Sequence, residues 1–313
     1  MRALFFLGLF FAGQANAVNV LTTVKPLQLI ANAITDGGEP AALLLKPGTS
    51  PHDYALKPSD LHRINDADLV IWVGPELEQF LEPLLKDHSG SLALMNRLSP
   101  HDHHDEHEPH DEHHHDEDKH HDNGKIVITQ QEDHHDHHHG DRDPHIWLDP
   151  HNALQIARML TTRLGELDHT NLDRYQQNLM RFEAKLAAAD EQVSARLAPA
   201  RDKGYFVFHD AYGYWEQHYH IPSLGHFTIS PERAPGAKTV ASIHEALKQA
   251  NAECVFAEPQ FRPAVVNAVV RGTQARVAEL DPLATAVKPD SDGYFHFMLK
   301  LADDMAACLL NER

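Results

Sequence analysis

Apolar runs of strand length alternate with amphipathic stretches of helical period on both sides of one long polar interruption. Val18 to Val24, Ala41 to Leu45 and Ala67 to Val73 read as buried strands, and Pro26 to Ile34, Pro58 to Asn65 and Glu76 to Leu85 between them read as helices. After Trp147 a helix is predicted from about His151 to Leu164, leading past Gly165 into a longer one. There Leu172, Tyr175, Leu179, Phe182, Leu186, Ala189, Val193 and Leu197 recur at spacings of three and four with charges between them. A helix of about 28 residues fits that stripe and would span roughly 40 Å. The same stripe could also line a coiled-coil dimer.

Beyond Pro199 the alternation resumes. Tyr205 to Phe208, Cys254 to Ala257 and Arg276 to Leu280 read as buried parallel strands, and Ala241 to Ala250, Pro263 to Gly272 and Tyr294 to Leu310 as helices. The predicted class is therefore α/β, with parallel sheets in two lobes joined by one long helix. The expected boundaries are an N-terminal lobe over 18–166, a linker helix over 167–199 and a C-terminal lobe over 200–313. A chain of this length exceeds what one ordinary core holds, which favours the same division.

The interruption, His101 to His139, holds 15 of the 27 histidines and almost no apolar residues. It cannot bury a core and is expected to be disordered, the apolar patch Ile126-Val127-Ile128 being too short to change that. It also carries 13 acidic residues against Lys119 and Lys125, so it accounts for most of the formal charge of -19. Closely spaced imidazoles and carboxylates on a flexible tether offer many weak, transient zinc sites, which would collect the ion or sense its abundance; a solvated spacer is the plainer alternative.

The first 17 residues bound the compartment. Arg2, an apolar run from Ala3 to Phe11 and the ending Ala15-Asn16-Ala17 read as a cleavable signal peptide, the run being about half the length a membrane span requires. A periplasmic location is expected, with the mature chain starting at Val18. Cys254 and Cys308, the two cysteines, would be free to pair there, closing a loop of about 54 residues worth roughly 4 kcal/mol, or would remain buried thiols. The acidic balance argues against nucleic acid or an anionic membrane as partner.

Outside the interruption, three histidines stand out. His52 follows the Leu43 to Leu45 run, His145 lies in Asp143-Pro-His-Ile-Trp-Leu-Asp149, and His209 ends the Tyr205 strand. Loops at the carboxyl ends of parallel strands are where such folds hold ligands. Two of the three come from the first lobe and one from the second, so the predicted site is the cleft between lobes. Three neutral imidazoles suit zinc, which accepts nitrogen at about 2.0 to 2.1 Å in tetrahedral geometry, whereas hard cations want oxygen. Asp149, Asp53 and Asp210 are candidates to hold the second ring nitrogens.

These blocks carry a resemblance. Pro51-His-Asp-Tyr54, Lys57-Pro-Ser-Asp60, Asp66-Ala-Asp-Leu-Val-Ile-Trp-Val-Gly74, His145-Ile-Trp-Leu-Asp149, Phe208-His-Asp-Ala-Tyr-Gly-Tyr214, Gly225-His-Phe-Thr228, Phe256-Ala-Glu-Pro-Gln260 and Leu280-Asp-Pro-Leu283 resemble the periplasmic zinc-binding protein of the bacterial high-affinity zinc uptake ABC transporter. That resemblance implies two Rossmann-like lobes on a rigid helix, Zn2+ as the transported ligand held by His52, His145 and His209, and a histidine-rich loop. It also implies a disulfide between Cys254 and Cys308, and as partners a membrane permease with its cytoplasmic ATPase, the chain itself being a monomer. Manganese-binding relatives carry a carboxylate where His209 stands, and Asp281 matches a ligand position in them but is expected just outside the zinc site. Pro51 stands where zinc-binding members can have an acidic residue, which leaves water, or next a loop histidine, as fourth donor. His226 resembles an auxiliary position that works with loop histidines such as His134 and His137; an ordinary surface or core histidine is the alternative.

Two other functions use the same residues. A zinc hydrolase also places water on three histidines, with Glu258 as a conceivable general base. Its one formal motif, His103-His-Asp-Glu-His107, falls in the low-complexity segment. A stand-alone metal buffer or adhesin would need no permease. Catalysis is not expected.

Overall fold

Continuous apolar runs become parallel strands here because a strand covered by helices on both faces has no side to show to water. The computed structural model describes residues 18–98, 126–127, 142–228, 236–250, 252–259 and 263–312. In the first half the order is β1 (Val20–Thr22), α1 (Lys25–Thr35), β2 (Ala42–Leu43), α2 (Pro58–Asn65), β3 (Leu69–Trp72), α3 (Glu82–Leu85) and β4 (Ser91–Ala93). After them come β5 (Ile126–Val127), α4 (Pro150–Leu167) and the long α5 (Leu172–Leu197). The second half contains β6 (Tyr205–His209), α6 (Gly213–Tyr219), β7 (Gly225–Thr228), α7 (Ala237–Gln249), β8 (Cys254–Ala257), α8 (Pro263–Val270), β9 (Arg276–Glu279) and α9 (Gly293–Leu309).

Two all-parallel sheets result, ordered β2-β1-β3-β4 and β5-β7-β6-β8-β9. Their registers include Val20 opposite Leu69, Ile71 opposite Leu92, and Val207 opposite both His226 and Phe256. The two lobes and the long joining helix are as the alternation predicts. Cys254 and Cys308 form a disulfide that ties the start of β8 to the end of α9. No helix among the described residues is long and apolar enough to cross a membrane. Residues 1–17, read above as a signal peptide, lie outside the described residues, as does all of the histidine-rich segment except Ile126–Val127.

Four details differ from expectation, each for a local reason. The helix expected over Glu76 to Leu85 is reduced to a 3-10 turn at Gln79–Leu81 and the single turn of α3. Pro83 lacks the N–H that a continuing helix would use, so it starts a helix rather than extending one. Gly165 does not end α4; it makes room for Leu172, whose Cδ1 would lie 2.6 Å from a β-carbon there. Strands β4 and β7 are too short or too mixed in polarity to stand out in the sequence. Finally, Ile126–Val127 forms a strand that adds to the edge of the second sheet, beside Gly225 and His226. Two residues suffice because a parallel edge supplies ready hydrogen-bond partners.

Helix α5 buries Tyr175, Asn178, Phe182, Leu186, Ala189, Val193 and Leu197, spaced by three and four. The stripe packs against α1, α4 and α9, so its apolar face is spent within the chain. Asn178 is the one polar member, and its Nδ2 donates to the carbonyls of Ile34 (2.7 Å) and Asp36 (2.9 Å), which the end of α1 leaves without helical partners. The buried residues around α5 belong to one continuous cluster that draws on both sheets.

Hydrogen bonds reinforce this seam. Lys25 Nζ donates to the Thr285 carbonyl (2.8 Å), Asn32 Nδ2 to Pro289 (2.7 Å) and Trp147 Nε1 to Pro282 (2.8 Å). Three side chains from the first half thus hold the backbone of one loop in the second. Phe182, 1 % exposed, packs in tilted contact with Tyr294 (ring centroids 5.9 Å apart) and Phe295 (5.2 Å) of α9. Phe182→Ala is expected to cost about 3–5 kcal/mol, measured by urea unfolding, with both halves losing stability in a single transition.

Candidate metal centre

Each of the three singled-out histidines is carried by a differently built piece of chain. His52 lies on the loop after β2, where Lys46-Pro-Gly-Thr49 makes a tight turn with Thr49 N donating to the Lys46 carbonyl (3.0 Å) and Gly48 at φ +80°. Proline before a positive-φ glycine is the signature of a type II turn. The far end of the loop is pinned by Asp60, which accepts from Tyr54 Oη and Lys57 N, both at 2.9 Å. His145 precedes the 3-10 turn Ile146–Leu148 rather than following a strand. Asp143 Oδ1 accepts from its backbone N (2.9 Å) and sits 2.7 Å from its Nδ1. His209 is the last residue of β6, and its Nδ1 faces the buried Glu258 carboxylate just beyond β8 at 3.3 Å.

These three side chains meet. Ring centroids are 5.3 Å apart for His52 and His145, 5.1 Å for His52 and His209, and 5.0 Å for His145 and His209. One ring nitrogen from each lies within 4.8 Å of the others. Tetrahedral zinc would place its nitrogen donors about 3.3 Å apart, so small side-chain rotations would complete such a set. Asp143 and Glu258 occupy the Nδ1 sides of His145 and His209, which leaves Nε2 as the nitrogen each could offer an ion. His145 and His209 are both 3 % exposed. Burial, and the neighbouring imidazoles of His145 and His209, lower the His52 pKa from 6.5 to about 2. His52 is thus held neutral, the form in which imidazole has a lone pair to give.

The carboxylates expected behind the rings are not the ones found. Asp149 caps α4 by accepting from His151 N (2.7 Å), Asp210 lies 3.3 Å from His226 Nδ1, and Asp53 is exposed. Asp143 takes the first role, and an Asp two residues before a His, with its carboxylate accepting from that histidine's own backbone N–H, is a local signal the sequence did contain. Glu258 reaches His209 only because β6 and β8 are neighbours, which no local pattern reveals. Asp281 stands outside the cluster and accepts from Leu283 N (3.1 Å), Thr285 N and Thr285 Oγ1 (both 2.5 Å) within its own loop. His226 is buried on β7, and neither ring nitrogen has a hydrogen-bond partner among the described residues. His134, His137 and the His103 to His107 motif lie outside the described residues.

Two parallel α/β lobes on a shared long helix, each giving imidazole to a cluster where they meet, define a two-lobed binding protein whose ligand site suits a borderline-soft metal ion. Residues 20–308 match the family described as zinc-uptake complex component A, periplasmic (ZnuA), and the chain belongs to that family. It is 44 % identical over 298 residues to the high-affinity zinc uptake system protein ZnuA of Yersinia pestis, covering 93 % of this chain and 91 % of that one. It is 43 % identical over 310 residues to the protein of the same description in Haemophilus ducreyi, covering 94 % of each. Among solved structures, one described as ZnuA superposes with a TM-score of 0.68 at 23 % identity, covering 92 % of this chain and 99 % of that one. A mutant of the laminin-binding adhesin Lmb of Streptococcus agalactiae superposes with a TM-score of 0.72 at 20 % identity, covering 94 % and 100 %. At these identities the two structures speak for the fold.

The His52 shift has a definite sign in the metal-free protein. Its folded pKa lies below the unfolded value, so the stability it contributes is complete above about pH 6.5 and is lost progressively as pH falls toward 2. Thermal unfolding of metal-free protein is expected to move to lower temperature between about pH 7 and pH 5, and His52→Gln to flatten that slope. An unchanged slope in the variant would count against the assignment.

Proposed function

We propose that this chain is the extracytoplasmic solute-binding component of a zinc ABC importer. It captures one Zn2+ between its lobes through His52, His145 and His209 and delivers it to a membrane permease driven by a cytoplasmic ATPase. The convergence of three imidazoles, two from the first half and one from the second, carries this reading. Family membership and the zinc-uptake description of its relatives support it.

The donor chemistry suits the ion. An all-nitrogen set favours zinc over manganese, magnesium or calcium, which prefer oxygen. Three protein donors leave a fourth position for water or a loop histidine, and an incomplete shell lets cargo leave by ligand exchange. Asp143 and Glu258 fix ring orientation and raise the basicity of the donor nitrogens. Glu258 lies 3.3 Å from His209 Nδ1, which suits an orienting group rather than the general base that the hydrolytic alternative would need.

The finer assignments follow the same reading. The chain is exported to the periplasm by residues 1–17, cleaved before Val18, and acts as a monomer with lobes over 18–166 and 200–313 on the linker 167–199. The segment 101–139 gathers zinc nearby. Pairing of Ile126–Val127 along β7 brings that segment to His226, where His134 and His137 would join it in an auxiliary site.

His209→Ala is expected to weaken the tightest zinc-binding event by at least 100-fold, followed by competition against a chromophoric chelator. Asp143→Asn, which leaves all three donors, is expected to weaken it by about 10–100-fold. Deleting 101–139 is expected to lower the number of weakly bound ions and leave the tightest one. Loss of tight binding in the deletion, with tight binding kept in His209→Ala, would move the primary site from the cleft to the loop.

A further inference from the structure

A second group of metal-binding side chains lies one 3-10 turn beyond His145. We propose that Asp149, His151 and His218 form a separate divalent transition-metal site that bridges the two lobes. One candidate donor atom from each lies within 4.8 Å of the others. The rings of His151 and His218 are 5.1 Å apart at an interplanar angle of 69°, and His151 Nδ1 lies 3.4 Å from Asp149 Oδ1.

The three parts are held differently. Asp149 is buried and fixed by its cap on α4, whereas the His151 side chain, beside it, is 63 % exposed. His218, on α6, has Nε2 held at 2.8 Å by Asp190 of α5, so Nδ1 is its nitrogen open to an ion. Carboxylate behind imidazole is the same arrangement that Asp143 makes with His145, and it commonly backs ligating histidines. Two imidazoles and one carboxylate, with water completing the shell, select zinc, cobalt or nickel over magnesium or calcium.

An opposing term comes from the N-terminal end of α4, whose dipole disfavours a cation. The carboxylates of Asp149 and Asp190 offset it, but the exposure of His151 and the spread of the donors make this site weaker than one between buried imidazoles. Its position gives it a structural consequence. Asp149 and His151 begin a helix of the first lobe, Asp190 lies on the connecting helix, and His218 belongs to the second lobe. An ion there clamps the lobes from outside the cleft and fills only when zinc is abundant.

The test uses mature full-length protein crystallised with excess zinc chloride, with anomalous diffraction collected at the zinc absorption edge. A peak is expected within about 2.3 Å of Asp149, His151 and His218 donors. In His151→Ala that peak is expected to vanish while density at the buried histidines persists as an internal control, and equilibrium dialysis of the same variant in zinc chloride is expected to show one ion fewer. Absence of the peak in the unsubstituted protein, its survival in His151→Ala, or equal stoichiometry of the two would overturn the proposal. Because the control peak belongs to the other centre, its loss would instead indict the cleft assignment.

Discussion

Everything at the candidate metal centre depends on the burial of one helical stripe. Tyr175 to Leu197 of α5 packs simultaneously on α1, α4 and α9, so the two sheets share a core instead of owning one each. Lys25, Asn32 and Trp147 add hydrogen bonds onto the 282–289 backbone, and the bond from Trp147 satisfies the Pro282 carbonyl in a buried setting. Cores packed at crystal-like density do not deform continuously. The separation of His145 from His209 is therefore a property of the fold, present without any ion, and the entropy of bringing donors together is met in folding rather than in binding.

Electrostatics then divides the work between layers. The inner layer is three imidazoles, of which His52 is held neutral by burial and by the neighbouring rings of His145 and His209. The layer behind it is acidic, Asp143 and Glu258, which hold the rings without competing for the ion. Among the described residues, the side chains grouped at the cleft offer nitrogen alone. Asp281 illustrates the exclusion, since its own loop takes up its carboxylate.

The long acidic insertion departs from the first half of the chain, yet its one described strand sits on the sheet of the second half. Edge pairing needs only backbone groups, so a segment poor in apolar side chains can still be moored. Mooring at Gly225 and His226 places the insertion's middle on the lobe that carries His209.

Much of this was legible from residues in order. Hydropathy located the elements that face a core, because a strand covered on both faces is apolar throughout and a half-covered helix carries period 3.6; hence β8 matched its predicted span and α5 differed by only a few residues at each end. His52, His145 and His209, the three histidines that meet, were recognisable as candidate donors from their neighbours and from resemblance. Missed were β4 and β7, whose strand character comes from pairing; the strand at Ile126–Val127; and the pairing of Glu258 with His209. The residues by themselves determined which parts would be buried and which side chains could bind a metal, because hydropathy and donor chemistry are local properties. Only the tertiary structure decided that Glu258, not Asp210, stands behind His209, because through-space distance across a crossover is set by strand order and helix packing.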